Sequence, residues 1–136
     1  MGRINKNVTV SNVLEPARKI QCEAEVDSWS AFFVLPLSWK NRLGKIAHSE
    51  PGTVELAYGQ KVSAEICGPV RIEVDGFRAV LTELLFLDLP ENSNFKPLIG
   101  HLVLNQALAT MDLMANRLVQ AKNLDLKHVD LGKITR

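Results

Sequence analysis

Apolar residues recur at every second position through Ile20, Cys22, Ala24 and Val26, set against Gln21, Glu23 and Glu25. Period two is the spacing of a strand that turns one face to a core. Val8, Val10 and Val13 open an earlier strand, and Asn12 to Pro16 reads as the turn between the two. Asp27 lies at the end of the second strand. Ala31 to Leu35 predicts a short strand that is apolar on both faces. Pro36 begins a helical turn, with Leu37, Trp39, Lys40 and Leu43 at helical spacing and Gly44 as its stop. Lys45 to Gly52 reads as a polar loop.

The second half repeats the strand pattern. Val54 to Ala57 precedes a turn at Tyr58-Gly59-Gln60, and Val62, Ala64 and Ile66 follow at period two. Gly68-Pro69 breaks that run, and Val70, Ile72 and Val74 resume it. Asp75-Gly76 is a two-residue hairpin signal leading into a long strand, Phe77 to Leu87. Asp88 to Lys96 is a loop, closed by Leu98-Ile99-Gly100. His101 to Leu108 predicts a short helix, and Met111 to Gln120 a last hairpin turning at Ala115-Asn116. Short strands with frequent turns give an all-β chain, a small closed or sandwich-like sheet with one or two short helices. The expected boundaries are a domain over residues 1–120 and a tail over 121–136, a docking arm or a disordered end.

Composition narrows the function classes. At 136 residues the chain is one domain with one core. A net charge of +1, with no basic cluster, argues against a nucleic-acid surface. No apolar run has the length of a membrane span, and MGRINKNVTV carries no apolar signal core, so no membrane association and a cytoplasmic setting are expected. Cys22 and Cys67 form no CxxC and read as buried thiols, with a disulfide as the alternative. His48, His101 and His128 share no ligand spacing, so neither a metal nor another cofactor is expected.

Taken singly, most candidate groups have plain readings. Asp75 belongs to a hairpin, Asp112 to the solvent side of a strand, and Trp39 to a helical core face. Ser28 and Ser30 have no matching His and Asp pattern for a serine hydrolase. Asp27 by itself would be a strand-end carboxylate.

Order changes the reading of Asp27. VDSWSAFFVLPLSWKNRLG is followed by VSAEICGPVRIEVDGF and then by PLIGHLVLNQALATMDLMANRLV. Over residues 8 to 120 this series resembles the retropepsin-like aspartic proteases, specifically the small single-lobe bacterial and archaeal relatives of the retroviral enzymes. The resemblance implies a single-lobe, closed β-barrel of the acid-protease type. It implies a catalytic Asp27 in the family's Asp-Thr/Ser-Gly position, paired with a second copy in a homodimer that hydrolyses peptides or unfolded segments. It also implies that Ser28 braces the loop across the two-fold axis and that Leu98, Ile99 and Gly100 pack behind it. Turns at Gly52 or Tyr58-Gly59 become flap candidates. This chain departs from the motif at Trp29, where the family has glycine, and at Glu25, where an apolar residue is usual.

Two functions from different classes follow. One is an aspartic endopeptidase. The other is a catalytically silent module of the same fold that binds peptides or dimerises, its cleft filled by Trp29. An unrelated small β-barrel binding protein is a third reading, in which Asp27 would have no two-fold partner.

Overall fold

The computed structural model describes residues 3–90 and 92–121. Nearly all of the expected tail, with Leu124, Leu126, His128, Val129 and Leu131, lies outside the described residues. The strands are β1 (Asn5–Asn12), β2 (Lys19–Val26), β3 (Phe33–Pro36), β4 (His48–Glu55), β5 (Lys61–Val74), β6 (Val80–Leu87), β7 (Leu98–Ile99), β8 (Ala109–Asp112) and β9 (Arg117–Gln120). A 3-10 helix, Leu37–Leu43, follows β3, and α1 (His101–Gln106) follows β7.

The main sheet runs β1-β2-β7-β3-β6-β5-β4, and β1 also pairs with β5. That last pairing, from Val8 opposite Val74 to Asn12 opposite Val70, closes six of the strands into a barrel. Closure removes two sheet edges and buries one face of each strand. β4 stays outside the ring, paired with the first half of β5 as a hairpin. β8 and β9 form a separate two-stranded ribbon after α1.

The period-two residues fill the barrel. Val8, Val10, Ile20, Ala24, Phe33, Leu35, Val70, Ile72, Val74, Leu84, Phe86 and Ile99 are buried together. Each large side chain among them stabilises the fold by about 1.5–3 kcal/mol through transfer from water. A second cluster lies under the β4–β5 hairpin, with Val34, Ala64, Leu85 and Leu87 buried and Phe32, Val54, Leu89, Phe95 and Leu98 against them. Asp75-Gly76 turns as its sequence predicts, with Gly76 at φ 90, a region where any Cβ is strained.

Three expectations change. Residues 48–52, read as loop, belong to β4, whose sequence HSEPGTVE hides a strand that is exposed on both faces. The two runs on either side of Gly68-Pro69 are one strand, β5, with a register shift between Cys67 and Val70 instead of a break. Asn12, read as a turn residue, is buried at 1% exposure. Its Nδ2 donates to the carbonyls of Leu43 and Lys45, both at 2.7 Å, and its Oδ1 accepts from the Leu14 amide at 2.9 Å. Cys22 and Cys67 are free thiols. Burial holds the Cys22 thiol up at about 11 and raises that of Cys67 as well.

Candidate active site

The Asp27 loop bridges two strands that are not neighbours. It leaves β2 and enters β3, and β7 lies between them, parallel to β2 and antiparallel to β3. The register sets Val26 opposite Ile99 and Val34 opposite Leu98. The Asp27 amide continues this ladder by donating to the Ile99 carbonyl at 3.0 Å. Insertion of β7 therefore fixes both the height and the direction of the loop.

The loop is then shaped by its own backbone. The Trp29 amide donates to Oδ1 of Asp27 at 3.0 Å, and the Ser30 amide to the Asp27 carbonyl at 3.1 Å. Together these make the turn in which a short Asp side chain substitutes for backbone. Ser30 Oγ donates to the Phe32 carbonyl at 2.9 Å. No glycine is needed for this path, because Trp29 keeps an ordinary negative φ.

Behind the loop sits Gly100. A Cβ there would lie 2.5 Å from the Ala31 carbonyl oxygen and nearer still to that of Phe32, so only glycine permits the approach. The helix that Gly100 opens completes the brace. The amides of His101 and Leu102, which have no partner inside their own helix, donate to the carbonyls of Ser30 at 2.8 Å and Ala31 at 3.1 Å. His101 thus holds the Asp27 loop through its backbone. Periodicity carries no signal for that contact.

Asp27 is half-buried, and Ser28 is exposed beside it. Among the described residues no cation pairs with Asp27. One carboxylate oxygen is tied to the Trp29 amide, and among the described residues the other accepts no hydrogen bond. The Trp29 side chain is 96% exposed. Glu25, charged where the family is apolar, is half-buried and meets Arg3 at 3.5 Å.

The β4–β5 hairpin carries the other predicted positions. Its tip is Ala57–Gly59, where Tyr58 takes φ 68 and is fully exposed. Gly52 is not at the tip but in the middle of β4, opposite Ala64. The root of the hairpin is tied to the 3-10 helix. Lys40 pairs with the Glu65 carboxylate, and Ser49 Oγ lies 3.5 Å from Lys40 Nζ and accepts from the Cys67 thiol at 3.3 Å. The apolar cluster that joins Phe32 of the Asp27 loop to Val54 of the hairpin links the two regions.

One convergence was invisible in the sequence. His48 and Glu50 of β4 meet Glu83 of β6, their ligand-type atoms all within 4.8 Å of one another. Gly68, opposite His48, lets β6 come close, since a Cβ there would lie 2.9 Å from the Glu83 Cα. All three side chains are exposed. Asp112 is half-buried instead of solvent-facing, and its Oδ1 accepts from the Ala115 amide at 3.1 Å to cap the β8–β9 turn.

No protein-family model matches the chain, and no curated protein matches it. Solved structures do. The chain is similar to the EIAV protease complexed with the inhibitor HBY-793, at 21% identity and a TM-score of 0.56, over 76% of this chain and 86% of that one. It is also similar to the retroviral protease-like domain of Ddi1 from Leishmania major, at 17% identity and a TM-score of 0.50, over 87% of this chain and 89% of that one. With its six-strand barrel closed by β1 and β5, and with β7 inserted behind a loop that begins with an aspartate, the chain has the retropepsin-like fold.

Proposed function

We propose that the chain is half of an aspartic-type peptide hydrolase, completed by a second copy of itself. The observation that carries this is Asp27, held at a braced loop with one oxygen engaged by the Trp29 amide and, among the described residues, no cation paired with it. One carboxylate cannot serve as both base and acid. Two copies of Asp27, about 3 Å apart across a two-fold axis, share one proton because both cannot ionise cheaply.

The shared proton sets the chemistry. The ionised Asp27 takes a proton from a water held between the pair, and the water oxygen attacks the scissile carbonyl carbon. The protonated Asp27 gives its proton to the carbonyl oxygen. The tetrahedral intermediate then collapses, the C–N bond breaks, and a proton passes to the leaving nitrogen. The products are a carboxylic acid and an amine, and the pair is again singly protonated. Its apparent pKa values belong to the pair. Ser28 holds the two loops together, Leu98, Ile99 and Gly100 support them, and Tyr58 and Gly59 lead the flap over an extended peptide. Gly52, in mid-strand opposite Ala64, gives that flap freedom to bend. The reaction needs no metal or cofactor. In this reading the domain spans residues 1–120 with 121–136 as a tail, and the setting is cytoplasmic.

A second reading rests on the exposed Trp29 indole: a silent module of the same fold whose cleft is filled. Cleavage of a mixed peptide library between pH 4 and 7 separates them, using the native protein, Asp27→Asn and Trp29→Gly. Cutting by the native protein that Asp27→Asn abolishes supports the hydrolase. Cutting by Trp29→Gly alone supports the silent module. No cutting by any of the three removes Asp27 as a catalytic residue.

A further inference from the structure

Trp29 is two residues from the carboxylate that the dimeric reading places on a two-fold axis, and it is 96% exposed. An indole of this size offers on the order of 200 Å² for burial, so leaving it in water forgoes a large apolar contact. The body of the protein gives it nowhere to go. Gly100 has no room for a methyl group between itself and the carbonyls of Ala31 and Phe32. The amides of His101 and Leu102 already occupy the carbonyls of Ser30 and Ala31, and the Asp27 amide is bonded to Ile99. The indole accordingly has almost no contact with its own chain.

A partner for the indole follows from symmetry. In an isologous contact residue i meets j and j meets i, and only residues at the axis meet their own copies. An axis through the Asp27 pair puts the Trp29 loop position, two residues on, within reach of its own copy. Trp29 is uncharged and apolar, so its self-contact meets no repulsion and buries surface on both chains. The Trp29 amide, 3.0 Å from Oδ1 of Asp27, ties the start of this side chain to the reacting group itself.

We infer that in the homodimer the two Trp29 side chains pack against each other across the axis and cover the Asp27 pair, as a gate that a peptide must part. This rests on the dimeric reading of Asp27. The gate sets a slow resting state, and it passes a peptide only when the flap and cleft walls bind it tightly enough to displace two indoles. Trp29 is thus a gating residue; Asp27 remains the catalytic one.

The test uses tryptophan itself. The chain has two, Trp29 and Trp39. Trp39→Phe retains an aromatic ring at the partly buried second position and leaves Trp29 as the sole reporter. Acrylamide quenching of Trp29 is followed against protein concentration, with sedimentation reporting the dimer. As the dimer forms, quenching is expected to fall at least about threefold, as a stacked indole pair loses its solvent face. A peptide isostere with a hydroxyl in place of the scissile carbonyl is expected to restore it. Trp29→Gly, studied where sedimentation shows a dimer, is expected to cleave peptides about tenfold faster or more, a change of about 1.4 kcal/mol in the barrier.

The outcomes separate the two claims. A dimer in which Trp29 is as quenchable as in the monomer overturns the gate and leaves the dimer standing. A dimeric Trp29→Gly that cleaves no faster than the native protein also overturns the gate. A chain that stays monomeric at every concentration overturns both. Protected Trp29 in the dimer, with cleavage the same in Asp27→Asn, overturns the hydrolase and keeps the indole contact.

Discussion

The amide of Trp29 donates to the carboxylate of Asp27 at 3.0 Å, so the residue that departs from the family motif still makes the turn that holds the acid. The bond uses backbone on one side and a side-chain oxygen on the other. Asp27→Asn therefore keeps the turn through its amide oxygen, whereas Asp27→Ala loses it. Both variants are expected to lose peptide hydrolysis by a factor of about a thousand or more. Only Asp27→Ala is expected to lose stability as well, by about 1 kcal/mol. Paired activity and urea-unfolding measurements check this; equal stability losses in the two variants would show that the turn bond contributes nothing.

Gly100→Ala is a steric test of the loop brace. The added methyl meets the carbonyls of Ala31, which the Leu102 amide of α1 holds, and of Phe32, which the Ser30 hydroxyl holds. Overpacking of this kind costs about 3 kcal/mol. Thermal unfolding is expected to shift down by about 10 °C. An unchanged Tm would mean that the loop moves freely away from α1.

Asn12 joins the end of β1 to the carbonyls of Leu43 and Lys45. Asn12→Ala strands two acceptors away from water, a loss of about 2–4 kcal/mol. Asn12→Asp keeps the size but turns a carboxylate oxygen toward those carbonyls, and it is expected to cost more than alanine at pH 7. Lowering the pH protonates that carboxyl and is expected to recover part of the difference. An aspartate variant as stable as the native chain would mean that the side chain of Asn12 does not donate to Leu43 and Lys45.

Cys22 gives a pH signature. Burial raises its thiol from about 9 to about 11, since the thiolate is disfavoured away from water. A folded-state value above the unfolded one gives stability that is complete below pH 9 and lost as pH rises toward 11. Native protein is expected to lose stability across that window, and Cys22→Ala to lose less. The same burial predicts slow alkylation of Cys22 at pH 8 in folded protein and rapid alkylation in urea. Equal rates in both conditions would refute it.

Tyr58 stands at φ 68, a left-handed conformation that costs a side-chain-bearing residue about 1–2 kcal/mol. Tyr58→Gly is expected to leave stability equal or up to about 1 kcal/mol higher. If the phenol rests on bound peptide, the same change weakens peptide binding to the Asp27→Asn protein. A stability loss on Tyr58→Gly would show that the ring is held by contacts within the chain.

The sequence revealed what depends on one-sided burial. Ile20 to Val26 and Val70 to Val74 alternate because each strand has one wet face, and the closed barrel has just those faces inside. β4 escaped because neither of its faces is covered well, so HSEPGTVE shows no period at all. Gly68-Pro69 looked like a stop because the pair breaks isolated strands, yet in this barrel the register shifts and pairing resumes. The packing of Gly100 behind the Asp27 loop was legible through the order of motifs along the chain. The amides of His101 and Leu102 were not, because any residue other than proline supplies a backbone N–H. Nor was the meeting of His48, Glu50 and Glu83, which depends on cross-strand register and on a missing side chain at Gly68.

The carboxylate sits at position 27, but every group that braces it from behind comes from residues 99 to 102. A chain emerging from the ribosome, or one cut short before β7, owns the acid without the means to aim it. On the hydrolase reading proposed above, the chemistry is thereby interlocked with the completion of the barrel: an unfinished copy has no organised carboxylate to contribute to a pair.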